Sequence, residues 1–352
     1  MKIQSLHFLD VGSLGEQDIT LINDWDDSIE NRVLFSGVNG SGKSTVLRAV
    51  AMLWEALGYW LDHQKIMQRN HIAREWLQRW SGCGVILTDV SHTEMSIGLM
   101  FGDLAWCEKL QKLHPNVSWI GEGVVKTGKQ GNPKRELFLP NKDSWFQELA
   151  NTRRKMILSF EKSDLGNVFF LDAEERRWVS PRRNVGEHLA ESPAMRWLPR
   201  YIATEDWKGQ LEASLITLKT TQLHTYHEVI RNLNEFLSGK EIDPDIKAGE
   251  NRLRVKIKNQ RGQTHSLDDL SAGEHQVLIL IYLLSRWAQQ GAIVLIDEPD
   301  LYLHPSLVNG LLANLENLVT GLNGQLIITS HQPEIWRRYE NSGKRIELSV
   351  DV

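Results

Sequence analysis

Cysteine is nearly absent. The 352 residues contain two, Cys83 and Cys107, too few for a disulfide framework or for a zinc cluster built on cysteine alone, so both are expected as reduced thiols in a cytosolic fold. A long apolar run is also missing. No stretch reaches the ~18–20 uninterrupted apolar residues that a membrane-spanning helix requires, and the opening Met1–Leu6 lacks a signal-peptide core. The expected location is therefore the cytoplasm, with no membrane role. Positive charge is not in excess: 40 Lys and Arg stand against 45 Asp and Glu, for a net charge of −5. That balance gives no support to a whole-surface nucleic-acid binder and confines any DNA contact to a local patch. Repeats, low-complexity tracts and sustained heptads are lacking too, which argues against an array or an extended coiled coil.

What remains is the composition of a globular protein able to bury a core, 41% hydrophobic and 24% charged. Thirteen tryptophans are present, most of them between Trp54 and Trp207, and read first as core filling rather than as a partner surface. Ile3, Leu6, Phe8 and Val11, then Ile19, Leu21 and Ile22, follow the pattern of paired strands. The apolar run Val33-Leu34-Phe35 enters a Gly-rich loop, after which Val46, Leu47, Val50, Leu53, Trp54 and Leu57 recur at helical spacing. Strand, loop and helix thus follow in order.

From about Gly58 to Gln263 this pattern is left and later regained, as expected of a long insertion mixed with core strands. Inside it, Val85–Leu87 and Met95–Phe101 read as strands, Gly121–Pro140 as an exposed loop or hairpin, and Ser144–Phe160 as a helix. A second apolar run, Val168–Leu171, stops abruptly in Asp172-Ala173-Glu174-Glu175-Arg176-Arg177. Apolar residues from Trp207 to Phe236 fit one long helix or a broken pair. Leu253, Val255 and Ile257 alternate before a turn at Asn259–Gly262, and Ala292–Ile296 and Gln325–Ile328 are strong strands.

Gly37-Val38-Asn39-Gly40-Ser41-Gly42-Lys43-Ser44 matches the P-loop pattern in full. Glycines free successive backbone N–H groups to wrap phosphate oxygens, and the helix that follows points its positive end at them. Lys43 is expected to reach the β- and γ-phosphates of ATP, Ser44 to ligate Mg²⁺, and Thr45 to touch the α-phosphate. Ile293–Ile296 followed by Asp297-Glu298-Pro299 reads as a Walker B strand, which delivers its carboxylates to the mouth of a parallel sheet. Asp297 is then expected at the Mg²⁺ shell and Glu298 as the group that polarises the attacking water.

Leu270-Ser271-Ala272-Gly273-Glu274-His275-Gln276 has the spacing of a capping box at a helix start, and it resembles the ABC signature. Asp300-Leu301-Tyr302-Leu303-His304-Pro305 resembles the D-loop stretch of OLD and RecF-like ATPases, and Ile327-Ile328-Thr329-Ser330-His331 resembles the switch-histidine strand. As an ordered set these motifs are similar to those of SMC, RecF and OLD-like ABC ATPases. The implied fold is α/β: a P-loop NTPase of the ABC-ATPase head type with an N-terminal β-rich lobe and a helical insertion. It divides as residues 1–57 and 251–352 for the core and 58–250 for the inserted lobe. The resemblance implies ATP and Mg²⁺ as cofactors. It implies a homodimer, or a higher oligomer of dimers, in which Ser271, Ala272, Gly273 and Glu274 meet the γ-phosphate held by the opposite subunit and His331 contacts the γ-phosphate in its own. Ala272 and His275 depart from the usual signature, and no Q-loop glutamine can be placed.

The absence of an extended coiled coil resembles ATPase subunits of phage-defence modules such as Septu or PARIS, which implies a separate nuclease or other effector protein as partner. The chain ends soon after His331, so any nuclease is expected on another polypeptide. A RecF-like repair ATPase that binds DNA directly is the alternative. The long stretch between Lys43 and Ser271 argues against the nucleotide subunit of a transporter. Two readings stay open for Asp172–Arg177: Arg176 or Arg177 near nucleotide or nucleic acid, or a solvated, salt-bridged loop end. Arg182, Arg183, Arg196 and Arg200 extend the same basic bias, with acids interleaved.

Overall fold

The computed structural model describes residues 1–349 apart from 93–94, 126–133, 160–162, 179–192, 202–209, 238, 248–249, 251 and 261. Arg182, Arg183 and Trp207 lie outside the described residues. In chain order the first half contains β1 (Lys2–Leu9), β2 (Gln17–Thr20), β3 (Arg32–Ser36), α1 (Lys43–His63), α2 (Ile72–Leu77), β4 (Gly82–Thr88), β5 (Ser96–Asp103), α3 (Leu104–Leu113), β6 (Val117–Val125), β7 (Lys134–Phe138) and α4 (Ser144–Leu158). The second half contains β8 (Val168–Leu171), α5 (Gln210–Thr221), α6 (Leu223–Phe236), β9 (Lys240–Ile242), β10 (Arg254–Ile257), β11 (Thr264–Ser266), α7 (Ala272–Trp287), β12 (Ile293–Ile296), α8 (Pro305–Gly321), β13 (Gln325–Thr329), α9 (Pro333–Ser342) and β14 (Lys344–Glu347).

Among the described residues these strands form three sheets. One is wholly parallel and runs β14-β3-β13-β12-β8. Its inner strands are apolar between their end residues, because both faces are covered and no interior position can turn a polar side chain to water. Val33, Phe35, Leu295 and Ile327 face one cluster with α1. Leu34, Val294, Ile296, Leu326 and Ile328 face a second cluster with α6, α7 and α8. The strand period of two therefore sorts one continuous run onto two cores.

The second sheet runs β2-β1-β4-β5-β6-β7 and is antiparallel except at β5–β6, where α3 makes the crossover. Strands from within 58–250 thus extend the sheet that β1 and β2 begin, while β8, from the same stretch, joins the parallel sheet. The β6–β7 pair lies within the expected loop or hairpin at 121–140 and is antiparallel, with Gly121 opposite Phe138 and Val125 opposite Lys134. A small third sheet, β11-β10-β9, lies ahead of α7. From Gln210 to Phe236 the expected helix is a broken pair: α5 stops at Thr221, and Gln222 leaves helical geometry before α6.

Helix α1 is the spine between the two large sheets. Trp54, Trp60, Leu57 and Val50 are buried along it, and Trp54 stacks on Trp197 at 4.2 Å with an interplanar angle of 11°. Each of these indoles donates its N–H to the other's backbone carbonyl at 3.0 Å, so two large apolar surfaces are buried with no unpaired donor. Trp25 departs from the core-filling reading of tryptophan, being 96% exposed. Cys83 and Cys107 are free and buried, and burial pushes the Cys107 thiol up to about 12. No helix among the described residues is long and apolar enough to cross a membrane.

Gln325 joins the sheets. Its buried side chain accepts from Ile3 N at 2.7 Å and donates to Ile3 O at 3.0 Å and Glu30 O at 2.8 Å. Gln325→Leu keeps the volume and strands those backbone groups without partners. Urea denaturation should show a loss of about 2–4 kcal/mol, and unchanged stability would mean that this tie carries nothing.

Candidate functional site

The strands β3, β12 and β13 lie side by side in parallel register, with Ile296 opposite Ile328 and Thr329 opposite Phe35. Their C-terminal ends are therefore level, and each delivers a polar residue to the same edge, the usual place for ligands in such sheets. β3 leads into Gly37–Ser44, β12 into Asp297 and Glu298, β13 into Ser330 and His331, and β8 into Asp172.

The Gly37–Ser44 loop has the conformation its glycines require. Gly37, Gly40 and Gly42 have φ of 148°, 82° and 92°. A Cβ on Gly37 would lie 2.5 Å from Leu348 O and 2.6 Å from Ser41 Oγ, and one on Gly42 would strike Leu14 at 2.8 Å. Side chains are thus excluded by space as well as by φ. Asn39 and Gly40 sit exposed at the tip, whereas Ser41 is buried with a side-chain hydroxyl that has no hydrogen-bond partner. Lys43, the first residue of α1, curls back and donates to Gly37 O at 3.0 Å and Val38 O at 2.9 Å. Burial pushes its ammonium down, against the pull of Glu298 and Asp297. Thr45 packs under Gly12 from the β1–β2 connection.

Asp297 binds these pieces together. Its Oδ1 accepts from Ser44 Oγ at 3.0 Å and from Thr329 Oγ1 at 2.5 Å. Thr329 Oγ1 in turn accepts the Glu298 N–H at 2.9 Å. Glu298 has φ of 46°, a left-handed conformation that a branched or long side chain holds only when its surroundings fix it. Thr329 fixes it from the amide side. From the carbonyl side Arg176 Nη2 donates to Glu298 O at 2.8 Å. The Glu298 side chain meets His331 Nε2 at 3.1 Å. Burial and the Asp297 charge raise its carboxyl above the ordinary range, with His331 and Lys43 opposing.

Within Asp172–Arg177, where Arg177 is exposed, Arg176 does not fit the solvated, salt-bridged reading. It is fully buried, not part of a solvated loop end, and it donates to Gln276 Oε1 at 3.1 Å and Leu171 O at 3.1 Å as well as to Glu298. Burial lowers its pKa to about 10, opposed by Asp297, Asp172, Asp300 and Glu298; it stays charged at neutral pH. Asp172 pairs with Arg48 of α1. Ala173, Glu174, Arg177, Glu298, Leu301 and Tyr302 line a cleft of about 450 Å³ beside Glu298. Arg196 is buried and so contributes nothing to an exposed basic stripe.

Among the described residues the side-chain hydrogen bonds of Ser271 and Glu274 run to each other and to Lys240, not to the P-loop, Asp297, Glu298 or His331. Ser271 is the N-cap of α7: its Oγ accepts from Glu274 N at 3.3 Å, and Glu274 Oε2 accepts from Ser271 N at 2.8 Å. Lys240 Nζ holds Glu274 Oε1 at 2.8 Å. Burial works to raise the Glu274 carboxyl, but the hydrogen bonds from Lys240 and Ser271 outweigh it and the net direction is down. Ser271 and Ala272 are exposed, and Gly273 lies against Tyr302 and Leu303. His275 is buried, donates from Nε2 to Leu267 O at 2.7 Å, and stacks on Trp178 at 4.1 Å; it faces inward from the helix tip. His304 caps α8 through Ser306.

Sequence reasoning left two functional residues without a role. Thr329 was visible only as part of an apolar strand; its signal is a hydroxyl at the last position of the strand beside Asp297. Gln276 was visible only as one letter of the signature.

Ser44 and Asp297 present two hard oxygen donors at one point, the donor type that Mg²⁺ takes alongside phosphate oxygens and water. Thr329 also donates to that carboxylate. The residues present therefore fit a Mg²⁺ ion held mainly by its phosphate ligands.

A family model described as "AAA domain, putative AbiEii toxin, Type IV TA system" matches residues 136–337. That span includes Arg176, Ser271–Gln276, Asp297, Glu298 and His331, with the P-loop upstream of it. Protein ea59 of Escherichia phage lambda is 28% identical over 138 residues, 39% of this chain and 26% of that protein. The "Retron Ec83 probable ATPase" of Escherichia coli is 28% identical over 207 residues, 54% of this chain and 35% of that protein. The chain thus spans about a quarter and a third of the length of these two curated relatives. Among solved structures, an SMC head bound to the C-winged helix domain of ScpA matches with a TM-score of 0.50 and 13% identity, over 99% of this chain and 94% of that one. The fold is that of an SMC-type ABC ATPase head, as the motif order implies.

Thr329→Val keeps the strand packing while leaving the Glu298 N–H without its acceptor and Asp297 Oδ1 with Ser44 as its remaining hydroxyl donor. The expected loss is about 1–3 kcal/mol in chemical denaturation. A variant as stable as the parent would show that Thr329 does not hold this turn.

Proposed function

This chain belongs to the AAA-domain family whose model its residues 136–337 match, and from that premise we propose that it binds and hydrolyses ATP and dimerises as it does so. The observation that carries the reading is the meeting of Ser44, Asp297, Glu298 and His331 at one sheet edge, over a P-loop whose geometry excludes side chains. In this reading the amides of Gly37–Thr45 cradle the phosphates. Lys43 exchanges the carbonyls of Gly37 and Val38 for β- and γ-phosphate oxygens, a swap favoured because a buried ammonium gains more from an anion than from neutral carbonyls. Ser41 gains an acceptor for its hydroxyl. Mg²⁺, when bound beside Ser44 and Asp297, neutralises phosphate charge.

Glu298 then accepts a proton from the attacking water. Its raised pKa suits a base, and His331, 3.1 Å away, holds the carboxylate in place and faces the position of the γ-phosphate. The exposed N-terminus of α7, with Ser271, Ala272, Gly273 and Glu274, is placed to serve a second copy's nucleotide, since among the described residues the side chains of Ser271 and Glu274 bond to each other and to Lys240 rather than to the P-loop or Asp297 of their own chain. Two copies then share two ATP molecules, and hydrolysis removes the γ-phosphate that bridges them. The similarity to a retron ATPase over about half of this chain supports a defence setting with a separate effector protein as the partner that reads the closed state.

Lys43→Ala should lower hydrolysis by at least about a hundredfold. Glu298→Gln should lower kcat by about 10²–10⁴-fold while ATP still binds and a dimer accumulates, seen as a larger species in sizing chromatography with ATP. Normal turnover by Glu298→Gln would remove it as the base. Ser271→Arg should leave nucleotide affinity intact and block the larger species; an ATP-dependent dimer in that variant would remove the in-trans role of α7. Hydrolysis stimulated by DNA alone would favour the RecF-like alternative over an effector-coupled switch.

A further inference from the structure

We propose that Arg176 and Gln276 form a tie through which the N-terminal turns of α7 set the backbone of Glu298, making both positioning residues for the hydrolytic step. The proposal rests on the ATPase reading above and deepens it: it states how the site that faces a second copy controls the base in its own chain.

Arg176 is unusual in how it uses its charge. A buried guanidinium among four carboxylates would ordinarily take one of them in a bidentate pair. Here its three recorded donations all go to neutral acceptors on three different elements: Leu171 O at the end of β8, Glu298 O beyond β12, and Gln276 Oε1 on α7. Asp297, Asp172, Asp300 and Glu298 act on it through charge alone. The carboxylates keep the guanidinium ionised, and its forked geometry spans the elements. Gln276 closes the clasp from the other side by donating its own amide to Arg176 O, so both ends of Arg176, main chain and side chain, are held by one residue of α7.

The tie has a defined direction. Gln276 sits one turn beyond Ser271–Glu274, the helix start proposed to meet a neighbour's phosphate, and it is buried in the body of α7. A rigid helix moves as a unit over that distance. A displacement at its tip therefore reaches Gln276, then Arg176, then the Glu298 carbonyl. Glu298 is responsive because its φ of 46° is a conformation that the surroundings must maintain. Thr329 fixes the amide side from its own sheet, so pulling on the carbonyl side rotates the residue about a fixed point and swings the carboxylate relative to His331. Binding and dimer closure use the P-loop and the tip of α7. The tie lies downstream of both and affects the chemical step.

Gln276→Met matches the side chain in length and removes both amide bonds, with little change in volume. Purified full-length chain should be assayed for steady-state ATP hydrolysis, for affinity toward a fluorescent ATP analogue, for ATP-dependent dimerisation by sizing chromatography, and for thermal midpoint. In Gln276→Met, kcat is expected to fall between about ten- and a hundredfold, the scale of a misplacement near 1 Å, with analogue affinity and dimer formation unchanged. Arg176→Lys, which keeps the charge and loses the fork, should show the same split. Wild-type turnover in either variant overturns the tie, and so does a loss of kcat accompanied by an equal loss of binding or dimerisation, which marks a merely structural role. If the wild-type chain itself shows no hydrolysis, the ATPase reading fails rather than the tie; wild-type activity that Glu298→Gln abolishes and Gln276→Met leaves intact refutes the tie alone.

Discussion

One carboxylate oxygen holds the sheet edge together. Asp297 Oδ1 receives hydroxyls from Ser44 at the start of α1, 253 positions away, and Thr329 at the end of β13, 32 positions away, so three elements converge on a single acceptor. The convergence is possible only because β3, β13 and β12 are adjacent, parallel and in step. A slip of one residue in any of them would turn its terminal polar residue away and its apolar neighbours into the wrong core. Burial on two faces makes such a slip costly, and the hydrophobic packing of the sheet thereby fixes the position of the polar groups.

Burial pushes the Glu298 and Asp300 carboxyls up, and at Glu298 the nearby Asp297 and Asp300 charges add an electrostatic cost. Arg176 and Lys43 offset it from opposite sides. Arg176 is inaccessible and permanently charged, whereas Lys43 is engaged only by carbonyls of its own loop. The fixed cation belongs to the architecture and the exchangeable one to the ligand. That division follows from chemistry: a guanidinium with a fork of donors can bridge rigid backbone groups, and a single ammonium on a flexible stem can change partners.

Much of this was legible in the sequence because the chemistry lies at the ends of apolar runs. Val33–Phe35, Ile293–Ile296 and Gln325–Ile328 are continuous for the reason given by two-sided burial, and the residues that follow each run are the ones that meet. The partnership of runs within 58–250 was not legible. Val85–Leu87 and Val168–Leu171 look alike as short apolar stretches, yet one pairs with β1 and the other with β12; pairing over such separations leaves no local mark. Arg176 was named among the candidates, but its role stayed open for a different reason. Charged residues are rarely fully buried, its acceptors include two backbone carbonyls that any residue supplies, and its side-chain partner is a hundred positions away. The break near Gln222 is likewise silent in the apolar periodicity, which continues across it.

The capping box at Ser271 and the phosphate-site reading of the same helix start are compatible, and Lys240 is the reason. In the isolated chain the Glu274 carboxylate occupies the Ser271 N–H and Oγ, the groups a phosphate oxygen would use. An N-cap interaction of this kind is worth about 1 kcal/mol, less than the charge-assisted bonds a multiply charged phosphate makes with several amides at a helix N-terminus. An arriving phosphate would therefore displace the carboxylate, which would be left next to a new negative charge and repelled. Lys240 already contacts both Glu274 oxygens and gives that carboxylate a counterion to turn towards. Glu274 thus satisfies the helix start in the free chain, and under the proposed in-trans role it would give way to a nucleotide, so the capping box and the phosphate site would be two states of one helix start.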